Sequence, residues 1–382
     1  MVSRPRPRSP LFDGFSHDAL SLYGEDFDQT AYPAPNEVLL KLTHRCQARC
    51  PYCSDMIAAY ESEAATTGTL PAGRWHDLVD ELSAMRVTRV TISGGEPTLR
   101  SDLVALIRRC ARAGMYLTLN TNGWHLADRR YVEDLASAGV GLIVISIDSH
   151  DERVHDDIRG LPGLGSRARL ALDNLSAVKQ SSGGRPEMAV RTILHRRNCG
   201  EFRQLVAYLS RWPLDALRIS YVENDHERRE WLPTREQVHE FRECTAALAA
   251  DAMEAGFDLE PAVLREARRQ LSMAFPTTLV SDDDYAAGRY WPDEGIRRFC
   301  DLPSRFALVT PAGRVLPCNE VEYRGGPSMG SLRTHGFKEI WSGDGFEAFR
   351  QRKCDACSTC AGPLPFQLTL GTDATTRRSA TR

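Results

Sequence analysis

CQARCPYC, residues 46–53, decides how the rest of the chain is read. It sets Cys46, Cys50 and Cys53 in a C-x3-C-x2-C spacing, with Tyr52 just before the last thiol. One loop of this length can wrap a single metal cluster and bring all three sulfurs to it. On a cubic 4Fe–4S cluster, three thiolates leave one iron without a protein ligand, and a cofactor or substrate can bind there. The competing reading is a structural zinc knuckle with His44 as its fourth ligand.

The run before the loop, EVLLKLT (37–43), is short and apolar and is expected to be a strand that ends at the cysteines. Beyond the loop, strands and helices alternate. WHDLVDELSAM (75–85) has helical apolar spacing, and β-branched VTRVTIS (87–93) runs into Gly94-Gly95-Glu96-Pro97. Ser101 is expected to cap the next helix, which Gly114 stops. Strands are expected at 115–123, 140–148, 188–194 and 217–222, and helices at 131–138 and 166–180, with Asn198 capping a further one. Continuous apolar strands between helices argue for a parallel sheet covered by helices. Six β/α units fit a partial (β/α)6 TIM-like barrel better than a complete eightfold one.

The chain of 382 residues is long enough for more than one domain. The expected organisation is an N-terminal extension (1–36), the partial barrel (37–233), a helical connector (234–295), a small cysteine-bearing domain (296–361) and a flexible tail (362–382). A net charge of −3 gives no basic field for nucleic acid. MVSRPRPRSP at the start lacks the apolar core of a signal peptide, and no run of about 18 apolar residues points to a membrane. Eleven cysteines without an export signal imply a cytoplasmic protein that binds metal rather than forming disulfides. Cys110 and Cys244 stand alone and read as buried structural thiols.

With CQARCPYC at the end of the first strand and GGEP at the end of the second, the region from about Val38 to Val222 resembles the radical S-adenosylmethionine (radical SAM) superfamily. TNG (121–123), SID (146–148) and IRG (158–160) sit where that family often has similar tripeptides. The resemblance implies that the open iron chelates the amino and carboxylate groups of SAM. A reduced cluster then cleaves SAM to a 5′-deoxyadenosyl radical, which takes a hydrogen atom from substrate. It implies cofactor contacts at Tyr52, Gly94, Gly95, Glu96, Asn122, Ser146, Arg159 and Arg191. Glu96 would accept from the methionine amino group, and Ser146 and Arg159 would meet its carboxylate. A ferredoxin or flavodoxin is the implied electron donor.

Cys300, Gly313 and GRVLPC ending at Cys318 resemble the first half of the auxiliary-cluster domains called twitch or SPASM. Cys354, Cys357 and Cys360 follow. Seven cysteines and two clusters mark the full SPASM form, and five are present, so one auxiliary 4Fe–4S cluster is expected. Four of the five thiols would ligate it, and a four-cysteine zinc ribbon is the alternative.

Cys199, a short loop after the fifth strand, is the candidate hydrogen-atom donor for an epimerisation. Residues 1–36 are too short for a peptide-recognition domain, so the expected substrate is a small polar molecule. A sugar or aminocyclitol of natural-product biosynthesis is meant, epimerised or oxidised at an alcohol. Acidic residues such as Asp225, Glu227 and 282–284 would meet its amino groups. The alternatives are a maturase of a ribosomal peptide and a non-enzymatic metal-binding protein.

Overall fold

In the computed structural model, residues 33–53, 68–222, 229–254, 283, 286–287, 302–323 and 325–352 are described. The barrel begins with β1 (Glu37–Lys41), α1 (Ala72–Ala84), β2 (Arg89–Ser93) and α2 (Leu103–Arg112). Helix α2 buries Leu103, Leu106, Ile107 and Cys110, the i, i+3, i+4, i+7 face of one helix. Next come β3 (Tyr116–Thr121), α3 (Arg129–Ala138) and β4 (Leu142–Ser146). Asp128 caps α3 by accepting from the Arg130 amide, and Gly139 ends it at φ 96°. Helices α4 (Glu152–Arg159) and α5 (Leu164–Ser181), then β5 (Glu187–Leu194), α6 (Phe202–Leu209) and β6 (Ala216–Tyr221), complete six β/α units.

Two expected caps differ. Helix α2 starts after Asp102, with no side-chain cap, and Asp102 is instead gripped by Arg100. Asn198 caps no helix with its side chain. Its amide ties two strand ends, donating to the carbonyls of Asp148 and Ile193.

The six barrel strands are parallel in the order β6-β5-β4-β3-β2-β1, and among the described residues β6 pairs only with β5. The barrel is therefore unclosed. The connector contributes α7 (Arg235–Glu254), whose Phe241 ring meets Phe202 of α6 edge-on.

The C-terminal part holds α8 (Leu302–Arg305), β7 (Phe306–Val309), β8 (Arg314–Leu316), α9 (Asn319–Tyr323), β9 (Gly330–Ser331), α10 (Phe337–Trp341) and α11 (Asp344–Arg352). The expected hairpin at 311–313 is present as the antiparallel β7–β8 pair. Its strand β7 also pairs in parallel with β1, Glu37 opposite Phe306 through Leu40 opposite Val309. The C-terminal part thus extends the barrel's own sheet. A buried ion pair reinforces the junction, Lys41 Nζ to Glu322 Oε2 at 2.6 Å.

Register decides what the inner face carries. A Cβ on Gly123 would meet Ile145 and Ala171 of α5, so Ile145 points to the helices and Ser146 to the opposite side. Pairing aligns Ser146 with Arg191 and Arg191 with Arg218. One level deeper, Asn120 stands opposite Val144, and Lys41 opposite Ser93.

Candidate active site

The cysteine loop is held between two glycine turns. On one side, the Gly95 amide donates to the Thr43 carbonyl at 2.7 Å and the Glu96 amide to the Arg45 carbonyl at 2.8 Å. Gly94 has φ +123°, and a Cβ at Gly95 would lie 2.3 Å from the Arg45 carbonyl oxygen. Only glycine permits that approach. On the other side, the Arg49 amide donates to the Arg159 carbonyl at 2.9 Å. Gly160 has φ +58°, and a Cβ there would lie 2.8 Å from the Arg49 carbonyl oxygen.

Beneath the loop lies a buried charge network. The Tyr52 hydroxyl donates to Asp148 Oδ2. Arg159 donates to the same oxygen from Nε and Nη2, both at 2.7 Å. Asp148 Oδ1 accepts from the Ile193 amide at 2.9 Å. Burial alone would raise the Asp148 carboxyl, but Arg159, then His155 and His195, hold it below its ordinary range. The Tyr52 ring packs against His195 and Trp231. Arg159 thus forms a buried ion pair with Asp148.

Glu96 is held by the protein as well. Only 1% exposed, it accepts at Oε1 from the Thr98 amide and hydroxyl and the Thr121 hydroxyl, and at Oε2 from the Asn122 amide. It joins the ends of β2 and β3. Asn122, so placed, brings Nδ2 to 3.9 Å from Cys46 Sγ.

The thiols suit a metal. Burial, then the Glu96 carboxylate, push Cys46 up to about 11, and burial raises Cys50. A buried thiol of this kind keeps its proton until a cation takes the proton's place. Three thiolates on separate irons of one cube need not meet at a point, and among the described residues no three donors converge as ligands of a single ion would. Donor chemistry and loop architecture both fit a three-cysteine cluster.

Ser146 and Arg191 face each other at the same level of the inner wall, with Arg218, which the sequence did not single out, beside them. Cys199 lies elsewhere. It is 1% exposed, its Sγ meets the Gln237 carbonyl at 3.6 Å under α7, and burial pushes it up to about 12. A thiol covered by the connector helix cannot serve as a donor on the inner wall. Cys318, just after β8, packs on the core of Leu308, Leu316 and Phe349. Cys300, Cys354, Cys357 and Cys360 lie outside the described residues, as do Asp225, Glu227, Asp282 and Asp284. Asp283 pairs with Arg235 on the surface.

A radical SAM superfamily model matches residues 40–181, and a model for the SPASM iron–sulfur cluster-binding domain matches residues 300–361. The PqqA peptide cyclase of Xanthomonas euvesicatoria is 30% identical over 325 residues, covering 83% of this chain and 77% of that protein. The chain belongs to the radical SAM superfamily. A PqqA peptide cyclase of Methylobacterium nodulans is 28% identical over 86% of the chain and 79% of its own length. Streptococcus suis SuiB bound to S-adenosylmethionine shares the fold at TM-score 0.60 and 16% identity, over 87% of this chain and 73% of that one.

As a radical SAM protein the chain uses a 4Fe–4S cluster, SAM and auxiliary iron–sulfur chemistry in its SPASM domain. Family membership decides for iron over zinc at the first loop. The expected small polar metabolite is corrected by these relatives, which are named for a peptide. Epimerase, alcohol dehydrogenase and antibiotic-biosynthesis readings fall with it. The error lay in reading a short N-terminal segment as evidence against a peptide. Among the described residues no helix is long and apolar enough to cross a membrane.

Proposed function

We propose that this radical SAM protein modifies a peptide, joining two of its residues with the loss of two hydrogens. The observation that carries the reading is the 30% identity to a PqqA peptide cyclase across 83% of the chain. When bound, SAM and the reduced cluster would supply the abstraction of one hydrogen atom from the peptide, and the second hydrogen would leave as a proton with its electron passing to the auxiliary cluster.

The chain's own residues bind, orient and exclude water. Cys46, Cys50 and Cys53 hold the cluster. Asn122 and Ser146 line the wall for the methionine end of SAM, supported by the 3.9 Å approach of Asn122 to Cys46. Tyr52, Asp148, Arg159 and Glu96 are positioning residues, since each acts through the loop or through Asn122. Gly94, Gly95 and Gly160 set how closely the loop sits on the barrel rim. Four of Cys300, Cys318, Cys354, Cys357 and Cys360 ligate one auxiliary cluster. A ferredoxin or flavodoxin supplies the electron.

The test uses chain reconstituted anaerobically with iron and sulfide, SAM, a reductant and a short peptide encoded beside its gene. A peptide product lighter by two hydrogens, formed with 5′-deoxyadenosine, supports the reading. Consumption of SAM with an unchanged peptide, and a changed sugar or aminocyclitol instead, overturns it.

A further inference from the structure

Asn122 is fixed on two sides before its side chain reaches the cysteine loop. It is 6% exposed and lies in the turn after β3. Its backbone amide donates to Glu96 Oε2 at 2.7 Å, and its Oδ1 accepts from the Trp124 amide at 2.9 Å. The Thr121 hydroxyl before it donates to Glu96 Oε1 at 2.7 Å and accepts from the Gly123 amide at 3.1 Å. Gly123 permits the turn at φ +86°. Arg167 clamps the far end, its Nε donating to the Trp124 carbonyl at 2.9 Å and its guanidinium 4.5 Å from the indole.

These contacts decide which way round the Asn122 amide sits. The Trp124 N–H needs an acceptor, so the atom that meets it is the oxygen. The NH2 group is thereby turned to the loop, with Nδ2 3.9 Å from Cys46 Sγ. The donor is held by the turn and by Glu96, and its place does not depend on the loop it meets.

Charge decides what such a contact does. A cysteine that ligates the cluster is a thiolate, and taking up one electron adds negative charge to the iron–sulfur unit. An N–H dipole at a ligand sulfur stabilises the reduced state more than the oxidised one, and burial strengthens the effect. Reduction of the cluster becomes easier.

We propose that Asn122 raises the reduction potential of the first cluster by donating its side-chain N–H to Cys46. The residue acts through Cys46 and touches no substrate. The inference rests on the cluster held by Cys46, Cys50 and Cys53, and it does not depend on the peptide reading above.

The test is pulsed EPR with a redox titration of the anaerobically reconstituted full chain, run without SAM. The first-cluster signal is the one that Cys53→Ala lacks. In parent chain whose asparagines carry a heavy-isotope side-chain nitrogen, that signal is expected to show a hyperfine coupling to the label. Asn122→Leu removes the donor and adds no charge. It is expected to lose the coupling and to lower the midpoint potential by about 59 mV, a tenfold shift in a one-electron equilibrium. Asn122→Asp keeps an acceptor for the Trp124 amide and replaces the donor by a charged oxygen, so its potential is expected to fall further. Iron content equal to the parent's shows that a variant is loaded, and where the leucine variant loses iron, the parent coupling and the aspartate variant decide.

A first-cluster signal without the coupling overturns the inference. So does a loaded Asn122→Leu, or Asn122→Asp, with the parent's potential. A fall in potential seen only after SAM is added assigns Asn122 to SAM and overturns it too. A parent chain without any first-cluster signal overturns the cluster assignment itself, a failure distinct from the loss of the Asn122 contact.

Discussion

The hydroxyl of Tyr52 donates to the Asp148 carboxylate, which Arg159 engages through two nitrogens. Tyr52 lies between two cluster cysteines, so this buried contact pins the loop to the end of β4. Replacing Asp148 by Ala leaves the Arg159 charge buried without its partner. The expected cost is about 3–5 kcal/mol, with iron lost from the first site before the auxiliary one. Tyr52→Phe removes one charge-assisted hydrogen bond and is expected to cost about 1.5–3 kcal/mol. Denaturation and iron analysis on the same samples check both, and an Asp148→Ala protein with full stability and full iron would contradict the role.

Gly95→Ala is expected to displace the cysteine loop, because the new methyl would lie 2.3 Å from the Arg45 carbonyl oxygen. Iron at the first site should fall to less than half. Gly73→Ala in α1 is the control. It meets nothing within 4 Å and should gain up to about 1 kcal/mol from helix propensity. Iron content and melting temperature of the pair give the comparison.

Stability is expected to fall with acid well above the carboxylate range. Burial, then the Arg159 charge, lowers His155 to about 4. Burial is the main cause for His195, also lowered to about 4. The unfolded chain takes up protons near 6.5 and the folded chain only near 4, so stability is complete above 6.5 and drains away between the two values. From pH 7.5 to pH 5 the loss is about 2 kcal/mol per histidine. The His155 Nδ1 accepts from the Asp148 amide, a bond that the neutral ring alone can make. Urea midpoints at the two pH values test this, and His155→Asn should flatten the slope.

Lys41→Met is expected to destabilise the chain by about 3–5 kcal/mol, since it leaves Glu322 charged and buried at the junction of β1 and α9. Adding Glu322→Leu should recover most of the loss. A double variant no better than the single one would show that the pair is not the coupled unit described.

The parallel barrel was legible because each strand is a short apolar run between a helix and a turn. So were the first cluster ligands, which lie within eight residues of sequence. TNG, SID and IRG are weak signals alone, yet Asn122, Asp148 and Arg159 all converge on the cysteine loop. Their convergence joins positions 76 to 110 residues apart, which no local pattern encodes. The pairing of β1 with β7 joins residue 37 to residue 306 and was invisible for the same reason. The substrate was misjudged because length at the N-terminus says nothing about what the barrel accepts.

The central claim is that the first cysteine loop holds an iron cluster with one corner left for SAM. The direct measurement is reductant-dependent release of 5′-deoxyadenosine from SAM by the anaerobically reconstituted chain and by its Cys53→Ala variant. The account predicts release by the parent and none by the variant, which keeps its auxiliary iron. Zinc in the first site of the parent, or undiminished release by the variant, would contradict it.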